Sequence, residues 1–86
     1  MPTISAFYGI VIHMYWDEHA PPHIHALYAE YEVIVDIRTL AVTGGSFPRR
    51  ALAMVKEWAA LHQSELMENW NLCEKMQPPK NVSPLE

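Results

Sequence analysis

The sequence predicts an α+β fold: an antiparallel β-meander of three to four strands packed against a long C-terminal helix, or against two consecutive helices. Three observations carry this expectation. The first half alternates β-branched and aromatic residues with a period of two, whereas the second half repeats apolar residues at spacings of three and four. The links between the apolar runs of the first half are too short for a crossover, so neighbouring strands must run antiparallel. Strands followed by a helix, without alternation, argue for α+β and for a helical stripe layered on one sheet face.

Phe7 to Trp16 reads as the first strand, with Ile10, Ile12, Met14 and Trp16 on one face and Val11, His13 and Tyr15 on the other. The segment from Asp17 to Pro22 ends it, because proline lacks a ladder donor and restricts its predecessor. His23 to Tyr28 is the second strand and Tyr31 to Ile37 the third, joined by Ala29-Glu30, although neither residue favours the positive φ of tight primed turns. Leu40-Ala41-Val42 makes a short fourth strand before a Thr43-Gly44-Gly45-Ser46 turn.

Ser46 and Pro48 then read as a helix start, as cap and first-turn residue. Leu52, Val55, Ala59, His62, Leu66, Trp70 and Cys73 form an apolar stripe: either one helix or two meeting near His62-Gln63-Ser64, where Ser64 would cap the second. Residues 1–76 are expected to form one domain, and 77–86, beginning at Gln77-Pro78-Pro79, a loose tail. Trp58 and Trp70 are expected in the core, and Glu57, Glu65, Glu68 and Glu74 on the wet helix face.

Half of the 86 residues are hydrophobic, enough for a core without staples. The single cysteine, Cys73, reads as a buried free thiol. No basic leader followed by an apolar run is present, nor any stretch of about 20 apolar residues. A reducing compartment is expected, most simply the bacterial cytoplasm, with no membrane association. The formal charge of −4 disfavours tight non-specific binding to nucleic acid.

The candidate site is His19-Ala-Pro-Pro-His23-Ile-His25, which gathers three of the five histidines around a stiff Pro21-Pro22 step. Imidazole is the commonest metal ligand and the side chain best poised for proton transfer near neutral pH. On a strand, His23 and His25 project from one face and can converge on one ion, while His19 folds back across the prolines as a third ligand. If Ala29-Glu30 is the hairpin tip, Tyr28 faces Tyr31, His25 faces Ile34 and His23 faces Asp36. That places Asp36 as a further ligand or as an acceptor fixing the tautomer of an imidazole. Asp17 and Glu18 are alternative carboxylates. Zinc, nickel or copper would suit such nitrogen donors.

Without metal, His23 and His25 would serve as acid and base in the cleavage of RNA, with Arg49 or Arg50 stabilising phosphate charge. The arginines could equally form a solvated first turn, and the histidines a cluster that only shapes a loop. His62 is expected to be a satisfied, semi-buried residue, and the place of His13 depends on the register of the first hairpin.

Met1-Pro2-Thr3-Ile4-Ser5, Phe7-Tyr8-Gly9-Ile10, the box from His19 to Ala26, Pro48-Arg49-Arg50-Ala51-Leu52 and Glu65-Leu66 through Asn69-Trp70 resemble the bacterial family called domain of unknown function 4160. The likeness runs to about Glu74. It implies a short single-domain protein, encoded beside a partner of the domain of unknown function 2442 type, in an arrangement read as a toxin–antitoxin system. By position, the family's motif histidines correspond to His19, His23 and His25, and its paired arginines to Arg49 and Arg50. The family pattern is usually basic at position 6 and often at position 13, where this chain has Ala6 and His13, which weakens an RNA-binding reading. The expected function is therefore a toxin–antitoxin component with a metal or acid–base histidine site. The alternative is a non-enzymatic module that binds its operon partner, and a homo-oligomer is also open.

Overall fold

A Tyr8-Gly9 turn interrupts the expected Phe7 to Trp16 strand near its start, and a further strand precedes it. Both residues have positive φ, 50° and 81°, the pair of left-handed conformations that a two-residue I′ hairpin needs. The turn joins β1 (Thr3–Phe7) to β2 (Ile10–His13). The computed structural model describes residues 3–16 and 18–86; Met1, Pro2 and Asp17, the last an alternative carboxylate, lie outside these.

The sheet continues through β3 (His23–Tyr28), β4 (Tyr31–Asp36) and β5 (Val42–Ser46), in the order β1-β2-β3-β4-β5 with every neighbour antiparallel. It is the expected meander with five strands in place of three or four. The register of β3 and β4 is the expected one, with Tyr28 opposite Tyr31, His25 opposite Ile34 and His23 opposite Asp36. Ala29 supplies the left-handed residue of that turn at φ 52°, against its intrinsic preference.

Gly44 and Gly45 lie inside β5, not in a turn after a fourth strand. The β4–β5 ladder slips between Ile34 and Val35, and a bulged, glycine-bearing strand is a common way to blunt an edge. Gly45 has φ 79°, and a Cβ added there would lie 2.1 Å from the carbonyl oxygen of Glu32. Gly45→Ala is therefore expected to cost about 2 kcal/mol, through left-handed strain and loss of β5 pairing. Chemical denaturation measures this, and a cost below about 0.5 kcal/mol would show that β5 shifts freely.

Ser46 ends β5 and does not cap the helix. The residue preceding α1 (Arg49–Leu61) is Pro48, and no side chain caps that end. The stripe resolves into two helices, α1 and α2 (Gln63–Glu74), with the break at His62, φ −122° and ψ 25°. His62, rather than Ser64, precedes α2. Gln63 marks the junction, its amide donating to the carbonyls of Ile37 at 2.8 Å and Arg38 at 3.2 Å. This ties the helix break to the turn after β4.

Between the layers lie Ile4, Phe7, Ile10, Ile12, Ile24, Ala26, Val33 and Val35 from the sheet and Ala51, Val55, Trp58, Ala59, Leu66, Trp70 and Cys73 from the helices. Burial raises the Cys73 thiol pKa, which keeps it protonated and unreactive. Trp16, expected on the face of Ile10, Ile12 and Met14, is exposed: the strand ends at His13, and only Met14 of the residues beyond it keeps that face's burial.

The segment 77–86 is docked, where the sequence suggests a loose tail. Asn69 donates to the carbonyl of Lys80 and accepts from its N–H, both at 2.8 Å. The Val82 N–H donates to the carbonyl of Ile4 at 2.8 Å, and the Val82 side chain is buried. The Trp58 indole N–H donates to the Ser83 carbonyl at 2.7 Å. Asn69 and Trp58 thus satisfy backbone polar groups that an apolar surface would leave unpaired.

Candidate metal centre

Period-two alternation along β3 sends Ile24 and Ala26 into the core, fully buried, and turns His23 and His25 to the opposite face. Glu18, from the loop before the prolines, comes over them. One donor atom from each of Glu18, His23 and His25 lies within 4.8 Å of the others. The Glu18 Oε1 atom is 2.8 Å from His25 Nε2 and 3.6 Å from His23 Nε2.

The outer ring nitrogens show why both Nε2 atoms point inward. His23 Nδ1 donates to the Pro21 carbonyl at 2.8 Å, and a carbonyl only accepts. That bond puts the proton on Nδ1 and, in the neutral ring, leaves a lone pair on Nε2. His25 Nδ1 donates to Glu32 Oε2 at 3.1 Å, so His25 stands between two carboxylates. A ring nitrogen anchored to a carbonyl or carboxylate is the usual support of a metal-bound histidine. The Trp70 ring backs His23, with ring centroids 5.1 Å apart, and the two imidazoles are 5.2 Å apart.

The donor set fits a small divalent ion. Zinc–donor bonds of about 2.0–2.1 Å in a tetrahedron imply donor–donor edges of about 3.3 Å. The 3.6 Å separation of Glu18 Oε1 and His23 Nε2 is close to that edge, and the 2.8 Å one to His25 Nε2 is a hydrogen bond that a bound ion would replace. Two nitrogens and one carboxylate leave a fourth position open, as in catalytic zinc sites. Glu18 and Glu32 together carry the charge that a divalent ion would neutralise.

Tyr15 flanks the cluster, its ring edge-on to His25 with centroids 4.5 Å apart. Its hydroxyl lies 3.3 Å from Nδ1 of His13, which is the cross-strand partner of His25. Burial, with the nearby Glu32 and Glu18 charges, raises the pKa of the Tyr15 phenol, which stays protonated. Burial lowers the pKa of His13, favouring the neutral ring.

Several sequence-predicted site residues lie elsewhere. His19 is exposed and outside the cluster; Glu18, one of the two alternative carboxylates, takes its place. Asp36 is opposite His23 as expected, but its carboxylate is committed to the following turn. Asp36 Oδ1 accepts from the N–H groups of Arg38 at 2.7 Å and Thr39 at 3.0 Å. Arg49 and Arg50 open α1 just after Phe47, whose ring packs beside Tyr28 at the far end of β3. Five residues of strand, about 17 Å, separate Tyr28 from His23. The arginines do not join the histidines. Glu32 was not anticipated, although it is the diagonal neighbour of His25 once Ile34 faces that histidine. His62 meets expectation: its Nδ1 lies 2.6 Å from Glu65 Oε1 and its ring packs beside Trp58.

The N–H bond from Thr39, supported by that from Arg38, holds the Asp36 carboxyl below the usual aspartate range. A depressed folded-state pKa gives stability that is present above the unfolded value and lost as pH falls through the folded one. Asp36→Ala is expected to cost about 2 kcal/mol at neutral pH, the loss of charge-assisted bonds to two backbone donors. Asp36→Asn keeps an acceptor, costs less, and flattens the loss of stability below the ordinary aspartate range. Urea titrations at neutral and acid pH check both effects; equal acid sensitivity of wild type and Asp36→Asn would refute the assignment.

The chain is thus a small α+β protein with a histidine–carboxylate cluster built on the β3 face opposite Ile24 and Ala26. The model of the family described as Domain of unknown function (DUF4160) matches residues 9–71, and the chain belongs to that family. No curated protein and no solved structure matches the chain. No helix among the described residues is long and apolar enough to cross a membrane.

Proposed function

We propose that the chain binds one divalent transition metal through Glu18, His23 and His25, with zinc the first choice and nickel or copper the alternatives. The metal would hold water at an open position and lower its pKa toward neutrality for hydrolysis. One observation carries the reading: two imidazoles present Nε2 to the same Glu18 oxygen while acceptors hold their Nδ1 atoms. In this reading Glu32 orients His25, the Pro21 carbonyl orients His23, and Trp70 excludes water from one side of the His23 ring.

Metal analysis of untagged protein supplemented with zinc is expected to give close to one ion per chain. His23→Ala/His25→Ala should abolish it, while His19→Ala and Asp36→Asn should not. Absence of bound metal in the wild-type protein would reject the reading.

Metal-free acid–base cleavage of RNA by His23 and His25 draws less support. Its phosphate partners Arg49 and Arg50 sit at the other end of the sheet, and two carboxylates flank His25. A role in a bacterial, cytoplasmic toxin–antitoxin pair rests on the family resemblance, with a partner of the domain of unknown function 2442 type. Half-buried Val11, Leu27 and Ile34 on the sheet face opposite the helices favour the runner-up, a non-enzymatic module that engages that partner. Co-purification of the neighbouring gene product with the His23→Ala/His25→Ala variant would favour the module. Growth arrest on expression, relieved by that variant, would favour chemistry.

A further inference from the structure

We propose a second ligand site, in the cleft between the Pro21-Pro22 segment and α2, fitted to a zwitterionic small molecule of the amino-acid class with an apolar side chain. The cleft has a volume of about 420 Å³, within the usual size of small-molecule sites, about 300–1,000 Å³. Its apolar lining comes from Pro21, Pro22, Met67 and Trp70, and its polar groups are Arg38, Asn71 and Glu74. None of Glu18, His23 or His25 lines it, although Pro21 and Trp70, which support His23, form a wall common to the cleft and the metal centre.

The two charges are what specify the ligand. The backbone of Arg38 is fixed on both sides: its N–H donates to Asp36 and its carbonyl accepts from Gln63. A guanidinium on an anchored turn loses less freedom when it forks a carboxylate. Among the described residues, neither Arg38 nor Glu74 takes part in an ion pair, with each other or with any third group. Glu74 is the last residue of α2, where the helix dipole disfavours a carboxylate and a bound cation would relieve it. The adjacent Lys75 does not line the cleft. A ligand carboxylate therefore goes to Arg38, with the Asn71 amide as a second donor. An ammonium goes to Glu74, and the apolar body rests on Trp70, Met67 and the prolines.

The site is tested by NMR titration of the full, metal-stripped chain with L-phenylalanine, so the outcome does not depend on the metal reading. Phenylacetate, which lacks the ammonium, and phenethylamine, which lacks the carboxylate, form the other arms. Phenylalanine is expected to give saturable shifts at the Trp70 indole and the Arg38 and Asn71 amides, with a dissociation constant in the millimolar range or tighter. Each analogue should bind at least about tenfold more weakly. Arg38→Gln and Glu74→Gln should each weaken phenylalanine similarly; both side chains are exposed, and undisturbed spectra elsewhere will confirm the fold. Lack of saturation at about 10 mM phenylalanine would overturn the proposal. So would an analogue that binds as well as phenylalanine, or wild-type affinity in either variant.

Discussion

Trp58→Ala is expected to cost about 4 kcal/mol and to leave little folded protein at the upper end of the physiological temperature range. Trp58 is fully buried, with its ring 5.4 Å from Phe7 and 5.6 Å from His62, centroid to centroid. It therefore joins β1, the helix junction and, through its indole N–H, the carbonyl of Ser83. Truncation would open a cavity between the layers, strand that carbonyl without a partner and release the 77–86 segment from α1. A chain of 86 residues carries a total stability of roughly 4–13 kcal/mol at about 0.05–0.15 kcal/mol per residue. The loss is thus between about a third and all of the total. Trp58→Phe keeps most of the apolar contact and removes the donor, so its cost should be about 1–2 kcal/mol. Urea denaturation followed by far-UV circular dichroism separates the two variants. A cost below about 1 kcal/mol for Trp58→Ala would mean that the two layers do not meet at this side chain.

The sequence disclosed most where geometry leaves little choice. A two-residue link between Tyr28 and Tyr31 permits one register, and that register alone puts His25 opposite Ile34 and His23 opposite Asp36. Period two then sends both histidines to one face without further information. Readability failed where composition masked backbone conformation. The β-favouring run from Phe7 to Trp16 hides a hairpin marked by one glycine at Tyr8-Gly9, and the short Thr3–Phe7 strand before it carries too few residues to declare a period. Gly44-Gly45 failed in the opposite sense: glycines that usually signal a turn serve here as a bulged edge strand whose backbone passes against Glu32.

The site was half legible for related reasons. Strand positions are periodic and can be read, whereas the reach of a loop is not. Glu18 rather than His19 comes over the strand pair, and sequence offers no rule for which loop residue does so. Asp36 shows a different limit. Backbone register placed it correctly, but its carboxylate had a nearer use in the Ile37–Thr39 turn, where two N–H groups required an acceptor. Short-range bonds to the backbone win such competition because they order few additional atoms. The same turn presents Arg38 to the cleft, so the residue expected to hold a metal instead supports a neighbouring group.

Zinc is expected to stabilise the wild-type chain by about 2.7 kcal/mol when its free concentration is about a hundred times the dissociation constant. For a domain of this size, that corresponds to a rise in Tm of roughly 10–20 °C. The stabilisation arises only if the native state gathers ligands that the unfolded chain does not, and the prefolded pair of imidazoles under Glu18 meets that condition. His23→Ala/His25→Ala should remove the rise; because the His23 ring packs beside Trp70, the variant's own metal-free Tm is the baseline for its titration. Glu32→Gln retains all three ligands but gives His25 Nδ1 a weaker acceptor. Its metal affinity should fall by about 10–100-fold, the usual effect of removing an orienting carboxylate. A Tm rise of equal size in wild type and the double variant would assign zinc to another place on the molecule, and wild-type affinity in Glu32→Gln would separate Glu32 from the site. The order wild type, then Glu32→Gln, then the double variant is what distinguishes an oriented metal centre from a histidine pair that merely attracts cations.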